Sequence, residues 1–226
     1  MTDILAACRN IGRDFPCGKG GKEHVAVLRD VDCEIRRGAR IALVGPSGSG
    51  KTTLLHILGG LDRPTRGDIE WPAFGSVEQL RPRRIGLVFQ SPSLFPALTA
   101  AQNVDLPAIL AGADTPPGYS RDLLARFGLG ELADKLPEEL SGGQAQRVAM
   151  VRALALRPGL VLADEPTGQL DGITAQFFLD TVLEHLEGTG TALVVATHDE
   201  AVAARMATRW TMDHGRLTSG GMKAAA

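Results

Sequence analysis

The chain has 226 residues, of which 44% are hydrophobic and 22% charged, and its formal net charge is −2. This composition excludes disordered and fibrous classes, and a chain of this length needs neither disulfides nor a structural metal to be stable. The near-neutral charge argues against an extended nucleic-acid-binding face.

The cysteines and the hydropathy pattern bear on the cellular compartment. Cys8, Cys17 and Cys33 are an odd number without CxxC spacing, which predicts free thiols in a reducing cytoplasm and argues against a zinc site. The N-terminus lacks the pattern of a secretory signal, and no apolar run approaches the ~20 residues that a membrane-spanning helix needs. We therefore expect a soluble chain that another protein must hold wherever it acts at a membrane.

Short apolar runs alternate with helix-like segments along the chain. Residues 31–36 alternate between apolar and polar side chains, which predicts a half-buried strand, and the apolar run 41–44 predicts a strand buried on both faces. A helix is expected from Lys51 to about Leu58. Further apolar runs of strand length follow at residues 85–89, 160–163 and 192–196. This alternation predicts an α/β fold with a mostly parallel sheet.

A different composition marks residues 91–157, which are rich in Ala and Leu and interrupted by prolines. We interpret this stretch as a helical insert. Its strongest helix is predicted to begin after Ser141 and to end at Arg157 and Pro158, because proline cannot continue a helix. The small residues 219–226 are predicted to form a frayed tail.

Residues 45–52 match GxxxxGK(S/T) between a buried strand and a helix, which is the context that a phosphate-binding loop (P-loop) requires. In such a loop, successive backbone amides and the helix N-terminus bind phosphate. Lys51 is expected to reach the β- and γ-phosphates, and the Thr52 hydroxyl to bind Mg²⁺. The alternative, a glycine-rich turn that carries a lysine by chance, is disfavoured by the strand and helix context. The residues predicted to bind nucleotide here are Gly45, Pro46, Ser47, Gly48, Ser49, Gly50, Lys51, Thr52 and Thr53.

Polar residues follow three other apolar runs, at strand ends where ligands of open α/β sheets bind. Asp164 is predicted to bind Mg²⁺, and Glu165 to act as general base on the attacking water. Gln90 is expected to contact Mg²⁺ or the water, and His198 to donate toward the γ-phosphate. Taken alone, the acidic pair could begin a turn and the histidine could be a structural hydrogen-bonding residue. The predicted catalytic residues are Glu165, His198, Gln90 and Lys51, and the predicted metal ligands are Thr52, Gln90 and Asp164.

The segment LSGGQ at residues 140–144 opens the strongest predicted helix. Glycines and a serine at a helix N-terminus form a second candidate phosphate site. The alternative is a serine-capped helix that happens to contain glycines. Five fixed residues match by chance on the order of once in several thousand chains of this length, even before the order of the other motifs is required.

Together these motifs resemble the nucleotide-binding subunit of ATP-binding cassette (ABC) transporters, and the resemblance extends from about Cys8 to Leu217. It implies that two subunits enclose two ATP molecules, with the signature motif of one subunit facing the P-loop of the other. The functional unit should therefore be a dimer. The residues implied to contact the γ-phosphate in trans are Ser141, Gly142, Gly143 and Gln144.

The resemblance also assigns residues outside the strongest motifs. It places Asp171 in the D-loop and Phe15 where an aromatic ring stacks on adenine, although a core aromatic residue at a strand end remains the alternative for Phe15. Two departures from the family pattern stand out. Gln169 replaces the small residue or Asn usual in the D-loop, and residues 69–82 are shorter than expected, so an antiparallel edge hairpin or a small helix could be truncated.

The implied fold is that of a P-loop NTPase, with a mostly parallel central sheet, an antiparallel β subdomain and a helical subdomain that carries the signature motif. We expect one ABC ATPase domain over residues 1–226. Residues 1–90 and 158–218 would form the nucleotide-binding core with the β subdomain, and residues 91–157 the helical subdomain.

Within the family, the P-loop, the segment 55–65 and residues 88–90 resemble the branch that serves lipoprotein release and macrolide export. This implies an ATP-hydrolysing subunit that pairs with itself or a homologous subunit and drives a separate membrane permease from the cytoplasmic face of the inner membrane. ATP and Mg²⁺ are the implied cofactors, and no nucleic acid is expected. The segment 91–96 is the predicted groove for a coupling helix, with Leu94 and Phe95 as anchors if they are exposed rather than core residues.

Two other outputs of an ABC ATPase remain open at this point. One is transmembrane signalling of the cell-division type. The other is a non-membrane role in DNA repair or translation, which the absence of a long insert and of a second cassette disfavours. A P-loop kinase would have no use for the LSGGQ segment. The transported substrate, its direction and the choice between homodimer and heterodimer are not specified by these motifs.

Overall fold

The computed structural model describes residues 2–17 and 23–220. Within them, strands and helices alternate as the apolar runs predict. The strands are β1 (Ile4–Cys17), β2 (Glu23–Arg36), β3 (Arg40–Val44), β4 (Arg66–Glu70), β5 (Ile85–Val88), β6 (Leu160–Asp164), β7 (Ala192–Thr197), β8 (Thr208–Asp213) and β9 (Arg216–Gly220). The helices are α1 (Lys51–Leu58), α2 (Ala100–Ala111), α3 (Tyr119–Arg126), α4 (Gly142–Leu154), α5 (Gly172–Leu186) and α6 (Glu200–Ala203), with one-turn 3₁₀-helices at Val77–Gln79, Gly130–Leu132 and Pro137–Glu139.

The chain divides into two compact units. The first comprises Met1–Leu80 and Ala192–Ala226, and the second comprises Arg81–Thr191. The predicted helical subdomain, residues 91–157, lies inside the second unit, and this finer division stays a prediction. None of the helices in the described part of the chain has the length and hydropathy of a membrane span.

The first unit contains two sheets. Strands β2, β1 and β4 form an antiparallel sheet in that order, which confirms the predicted β subdomain. In the other sheet β3 pairs in parallel with β7 and β8, and β8 pairs with the antiparallel strand β9. The side chains of β3 and β7 are almost all buried, because apolar runs of this kind are covered on both faces.

The predicted frayed tail begins too early. Ser219 and Gly220 belong to β9 and pair with Trp210 and Arg209, because the antiparallel ladder continues to the end of the strand. Residues 221–226 of that predicted tail lie outside the described residues. In the short segment 69–82, the first two residues end β4, Trp71 and Gly75 form an isolated antiparallel bridge, and the 3₁₀-helix at Val77–Gln79 follows.

In the second unit β5 and β6 pair in parallel, and α4 packs against both α2 and β5. The buried face of α4 includes Val148, Met150, Val151 and Leu154. This helix ends at Leu154, so the predicted end at Arg157 and Pro158 is wrong by three residues. The chain leaves the helix through i→i+3 hydrogen bonds, and Arg157 takes a left-handed conformation with φ of 48°.

Candidate functional site

The segment between β3 and α1 folds tightly around a lysine ammonium group. The Lys51 side chain is buried, and its Nζ donates hydrogen bonds to the carbonyl oxygens of Gly45 and Pro46 at 2.8 and 3.0 Å. Gly45 has φ of 153°, and a Cβ there would lie within 3.0 Å of the Met212 carbonyl oxygen, closer than real Cβ atoms approach. Only glycine therefore fits where the strand enters the loop.

The N-terminus of α1 is left without a side-chain cap. Gly50 occupies the N-cap position in a left-handed conformation with φ of 105° and forms no side-chain cap. Ser49 is 4% exposed, and its Oγ has no hydrogen-bond partner among the described residues. Because buried polar atoms normally find partners, this hydroxyl, the helix N-terminus without a side-chain cap and the ammonium group together fit an anionic ligand.

His198 lies beside this loop in the first unit. Thr197, the last residue of β7, pairs in parallel with Val44, the last residue of β3. The residues that follow are His198 and Gly45, so the structure brings the histidine and the start of the loop to the same edge of the sheet. The histidine is exposed, as a residue that meets a ligand must be.

Phe15 is near the end of β1, also in the first unit. Its ring is 36% exposed, and the Arg13 guanidinium carbon lies 4.3 Å from the ring centroid, a cation–π contact. Arg13 is itself held by Asp62 at 2.9 Å. The ring is therefore supported on one side by a cation and partly open to solvent, which disfavours the alternative of a core aromatic residue.

Three predicted site residues meet in the second unit. Val88 of β5 pairs with Ala163 of β6. Gln90 follows β5, and Asp164 and Glu165 lie at the end of β6, so all three come to the same edge of the strand pair. Asp164 is 6% exposed, whereas Glu165 is half-buried and has a positive φ of 47°. A positive φ is unusual for a residue with a side chain, and strained positions of this kind cluster at active sites and switch regions.

The N-terminus of α4 is closed by its own side chains. Ser141 is the N-cap, and its Oγ accepts a hydrogen bond from the Gln144 amide at 3.2 Å, while Gln144 Oε1 accepts from the Ser141 amide at 2.9 Å. This reciprocal arrangement is a capping box. The serine-capped helix considered as an alternative is therefore present, and it is compatible with a phosphate site because the capping box uses the amides of Ser141 and Gln144 and not those of Gly142 and Gly143.

The segment before α5 packs against these glycines. A Cβ on Gly142 would approach the Gln169 side-chain oxygen, and one on Gly143 would approach Leu170, each within 3.0 Å. Asp171 caps α5, accepting hydrogen bonds from the Thr174 amide and hydroxyl at 3.0 and 2.7 Å. These bonds hold the pKa of the Asp171 carboxyl below its usual value.

A family model described as ABC transporter matches residues 28–168, a range that includes the P-loop, LSGGQ and the Asp164–Glu165 pair. This chain belongs to the ABC transporter family. It is 41% identical to the lipoprotein-releasing system ATP-binding protein LolD of Legionella pneumophila (strain Paris), over 96% of this chain and 98% of that protein. It is 42% identical to the protein of the same name from Pseudomonas fluorescens, over 95% and 97%.

Solved structures of this family share the fold. The dimeric post-hydrolysis structure of the ATP-binding cassette MJ0796 bound to ADP and Pi has a TM-score of 0.88 at 33% identity, covering 98% of this chain and all of that one. A second dimeric structure of MJ0796, described as a bacterial ABC transporter cassette, gives 0.87 at 34% identity. The predicted α/β P-loop fold is therefore confirmed.

Two residues of this cassette were not predicted from the sequence. Gln146 is fully buried on α4, and its Nε2 donates to the Phe89 carbonyl oxygen at 2.9 Å. Arg152, two turns further along α4, donates from its guanidinium to the Ser93 carbonyl oxygen at 2.7 Å and to Ser93 Oγ at 3.1 Å. Helix α4 thus hydrogen-bonds the chain on both sides of Gln90, at Phe89 and at Ser93. The available signal was a glutamine among the apolar residues of the buried face of α4.

Proposed function

We propose that this chain is the ATP-hydrolysing subunit of a lipoprotein-releasing ABC transporter. The observation that carries the proposal is the similarity to lipoprotein-releasing ATP-binding proteins over nearly the full length of both chains. The P-loop supports it with an uncapped helix N-terminus and a buried hydroxyl that no described residue satisfies. Neither transmembrane signalling nor a non-membrane role has a comparable observation in its favour.

The P-loop residues supply the contacts that a nucleotide triphosphate needs. The amides at the start of α1 and the Ser49 hydroxyl can donate to phosphate oxygens, and Lys51 exchanges its carbonyl partners for the β- and γ-phosphates. Phe15, steadied by Arg13, offers a ring face for adenine. Thr53 and the remaining loop residues keep their predicted roles in holding the nucleotide.

The oxygen ligands predicted for Mg²⁺ fit that ion. The Thr52 hydroxyl, the Gln90 amide oxygen and the Asp164 carboxylate are hard donors, and the described residues contain no cluster of three or more His, Cys, Asp or Glu that would form a metal cage of their own. Mg²⁺ in nucleotide sites is held by one or two carboxylates together with phosphate oxygens and water, and Asp164 is the carboxylate of this set. When bound, the ion neutralises charge that develops on the phosphates.

The carboxyl end of β6 provides the group that activates water. Glu165, held at a positive φ just beyond the buried Asp164, is proposed to accept the proton of the attacking water as general base. Gln90 orients the water from the neighbouring strand end, and His198 donates to the γ-phosphate oxygens. When the γ-phosphate is lost, the hydrogen bonds that these residues make to it and to the attacking water are lost as well.

The signature helix is proposed to complete the site of a second subunit. A phosphate would meet the amides of Gly142 and Gly143 at the start of α4, with Ser141 and Gln144 beside them. Asp171 precedes α5 in the adjoining segment, where Gln169 packs on Gly142. The related cassette MJ0796 has been solved as a dimer, including a post-hydrolysis state bound to ADP and Pi, which supports the proposed dimer.

A groove in the second unit is proposed to receive a coupling segment of the permease, on the cytoplasmic face of the inner membrane. The groove has a volume of about 410 Å³ and a mainly apolar lining that includes Phe89, Phe95, Leu106, Pro107, Leu110 and Arg152. Phe95 is 53% exposed, whereas Leu94 is half-buried, so Phe95 is the better anchor. Arg152 lines the groove and also holds Ser93, which would transmit movement of the groove to the signature helix.

The first experiment tests the ATP-dependent dimer. Purified Glu165→Gln protein is examined by light scattering with and without Mg·ATP, beside Lys51→Ala. Because the first change removes the general base and the second removes the phosphate contact, we expect an ATP-dependent dimer only for Glu165→Gln. A Glu165→Gln protein that stays monomeric while binding ATP would contradict a dimer that assembles without the permease.

The second experiment tests the output. In the native host, depletion of this chain should cause lipoproteins destined for the outer membrane to accumulate in the inner-membrane fraction. Wild-type protein should restore their release, and Lys51→Ala should not. Phe95→Asp should keep the ATP-dependent dimer in the Glu165→Gln background but lose co-purification with the permease. Normal lipoprotein fractionation after depletion would exclude the release function and leave the ATPase assignment intact.

A further inference from the structure

A small cavity lies in the second unit, and none of its lining residues is assigned to the nucleotide or to the permease. It lies between α3, the chain that follows α4 and α5, where Arg126 and Arg157 are exposed to solvent, and its volume is about 80 Å³. At about 30 Å³ per water molecule in the liquid, this is room for two or three waters, or for one small oxyanion. Its lining residues are Tyr119, Asp122, Leu123, Arg126, Arg157 and His185.

Positive charge dominates this lining. Arg126 and Arg157 are permanently charged, and Asp122 is the one carboxylate that lines the cavity. Neither guanidinium forms a hydrogen bond or ion pair with any residue in the described ranges. By contrast, Arg121, also on α3, is paired through both terminal nitrogens with Asp134. The two guanidinium groups of the cavity, both exposed, therefore have no hydrogen-bond or ion-pair partner in the described part of the chain, whereas Arg121 of the same helix is paired.

The backbone at Arg157 is also unusual. This residue has φ of 48°, a left-handed conformation that L-residues other than Gly, Asn and Asp rarely adopt. An arginine gains no local hydrogen bond that would favour this conformation, in contrast to the short polar side chains. Arg157 nevertheless adopts this conformation directly before Pro158, and its guanidinium lines the cavity.

His185 lies against the same cavity from α5. Its ring packs on Phe127 with the centroids 5.3 Å apart, and the side chain is half-buried. Burial lowers the pKa of His185, and the charges of Arg126 and Arg157 lower it further. The other groups that face it are Asp122 and Tyr119, whose hydroxyl donates to the Ala155 carbonyl oxygen at 2.9 Å. An anion among these cations would favour the protonated imidazole.

We propose that this cavity binds one tetrahedral oxyanion of the phosphate class, held by Arg126, Arg157 and protonated His185. Guanidinium groups match such oxyanions because they present paired N–H donors in a fixed plane. Binding of the anion and protonation of His185 then reinforce each other, since each favours the other by the same free energy. This site is separate from ATP hydrolysis. Its occupancy by the anion would depend on pH and on the concentration of phosphate.

The test follows the His185 ring by NMR in nucleotide-free protein, in sulfate and in chloride at matched ionic strength. Sulfate is used because it remains a dianion over the whole titration. We expect the pKa of His185 to be higher in sulfate, and sulfate to bind at least about tenfold more tightly at pH 5.5 than at pH 7.5. The shift should be lost in Arg157→Gln and in Arg126→Gln. The matched control Arg121→Gln, which changes a paired arginine of the same helix, should retain it.

Equal pKa values of His185 in sulfate and chloride would overturn the proposal, as would a shift that survives both Arg126→Gln and Arg157→Gln. Sulfate bound at the P-loop does not confuse the result, because those two substitutions leave that loop intact. Cosedimentation with phosphatidylglycerol vesicles, compared with titration by inorganic phosphate, identifies the source. Vesicle binding that is lost in Arg157→Gln supports the site with a lipid headgroup as its ligand. A response to inorganic phosphate that is lost in Arg157→Gln supports the site with the free ion as its ligand.

Discussion

Helices α1 and α4 both begin at glycine-rich segments that the sequence predicts to bind phosphate, but their N-termini are built differently. At α1 the N-cap is Gly50, and the adjacent Ser49 hydroxyl is buried without a partner in the described ranges. At α4 the side chains of Ser141 and Gln144 cap each other's backbone amides. The P-loop is thus open to a ligand, whereas the signature helix is already closed.

This difference indicates how each helix N-terminus is stabilised with and without a ligand. An open helix N-terminus with a buried hydroxyl is costly until a ligand supplies acceptors, so the P-loop gains most from binding. A capped N-terminus is stable in the absence of a ligand. A site of the second kind suits a phosphate that arrives with another subunit, as proposed for the signature motif.

The largest effect is expected at the open site, from Gly45→Ala. The added Cβ would collide with the Met212 carbonyl oxygen, which is backbone and cannot move aside. We expect a loss of at least about 3 kcal/mol in unfolding free energy, together with loss of nucleotide binding. Urea unfolding and nucleotide titration measure both.

The matched control for that change is Gly48→Ala. Gly48 has φ of 76° but no atom within 4 Å of an added Cβ. Only the backbone strain should remain, about 1 kcal/mol. Equal losses in the two variants would show that close approach to Met212 is unimportant.

The next effect separates the two roles of Ser141. Ser141→Ala removes the cap and should lower the unfolding free energy by about 1 kcal/mol. Ser141→Asp keeps the cap, because carboxylates are good N-caps, but places a negative charge where the partner's γ-phosphate is proposed to lie. We expect near-normal stability and at least about a tenfold weaker ATP-dependent dimer in the Glu165→Gln background. Unchanged dimerisation would contradict contact in trans.

A smaller effect is expected where the D-loop meets the signature glycines. Gly142→Ala should cost about 1 kcal/mol, because its Cβ meets the Gln169 side-chain oxygen, a flexible group that can partly yield. Gln169→Ala should remove that cost in the double variant. A double-mutant cycle on unfolding free energies measures the coupling, and additive single effects would contradict the contact.

The smallest effect concerns pH. The charged cap Asp171 has a lowered pKa, so the stability that it contributes is complete above its ordinary pKa of 3.8 and is lost as pH falls through the folded value. The neutral cap of α4 has no such dependence. Asp171→Asn should therefore flatten the acid limb of the urea midpoint against pH, whereas Ser141→Asn should leave it unchanged. Identical acid limbs for Asp171→Asn and wild type would contradict the prediction.

Much of the nucleotide site could be predicted because its residues are close together in the sequence. The P-loop follows a fully apolar strand, and α1 occupies the predicted residues Lys51–Leu58. The grouping of Gln90 with Asp164 and Glu165 was also predicted from the sequence, because parallel strands bring their carboxyl ends to one edge of the sheet. The predicted end of α4 was wrong, because the helix ends at Leu154 and i→i+3 turns follow it before Pro158.

The sequence by itself determined the family, the fold class and the loops that are proposed to meet phosphate, because each depends on local spacing and on hydrophobic periodicity. The tertiary structure alone decided what presses against those loops: Met212 against Gly45, Gln169 against Gly142, and Gln146 holding Phe89. It alone brought Arg126, Arg157 and His185 to one cavity. These contacts join residues from separate elements, and their distances depend on how the elements pack, which no local pattern encodes.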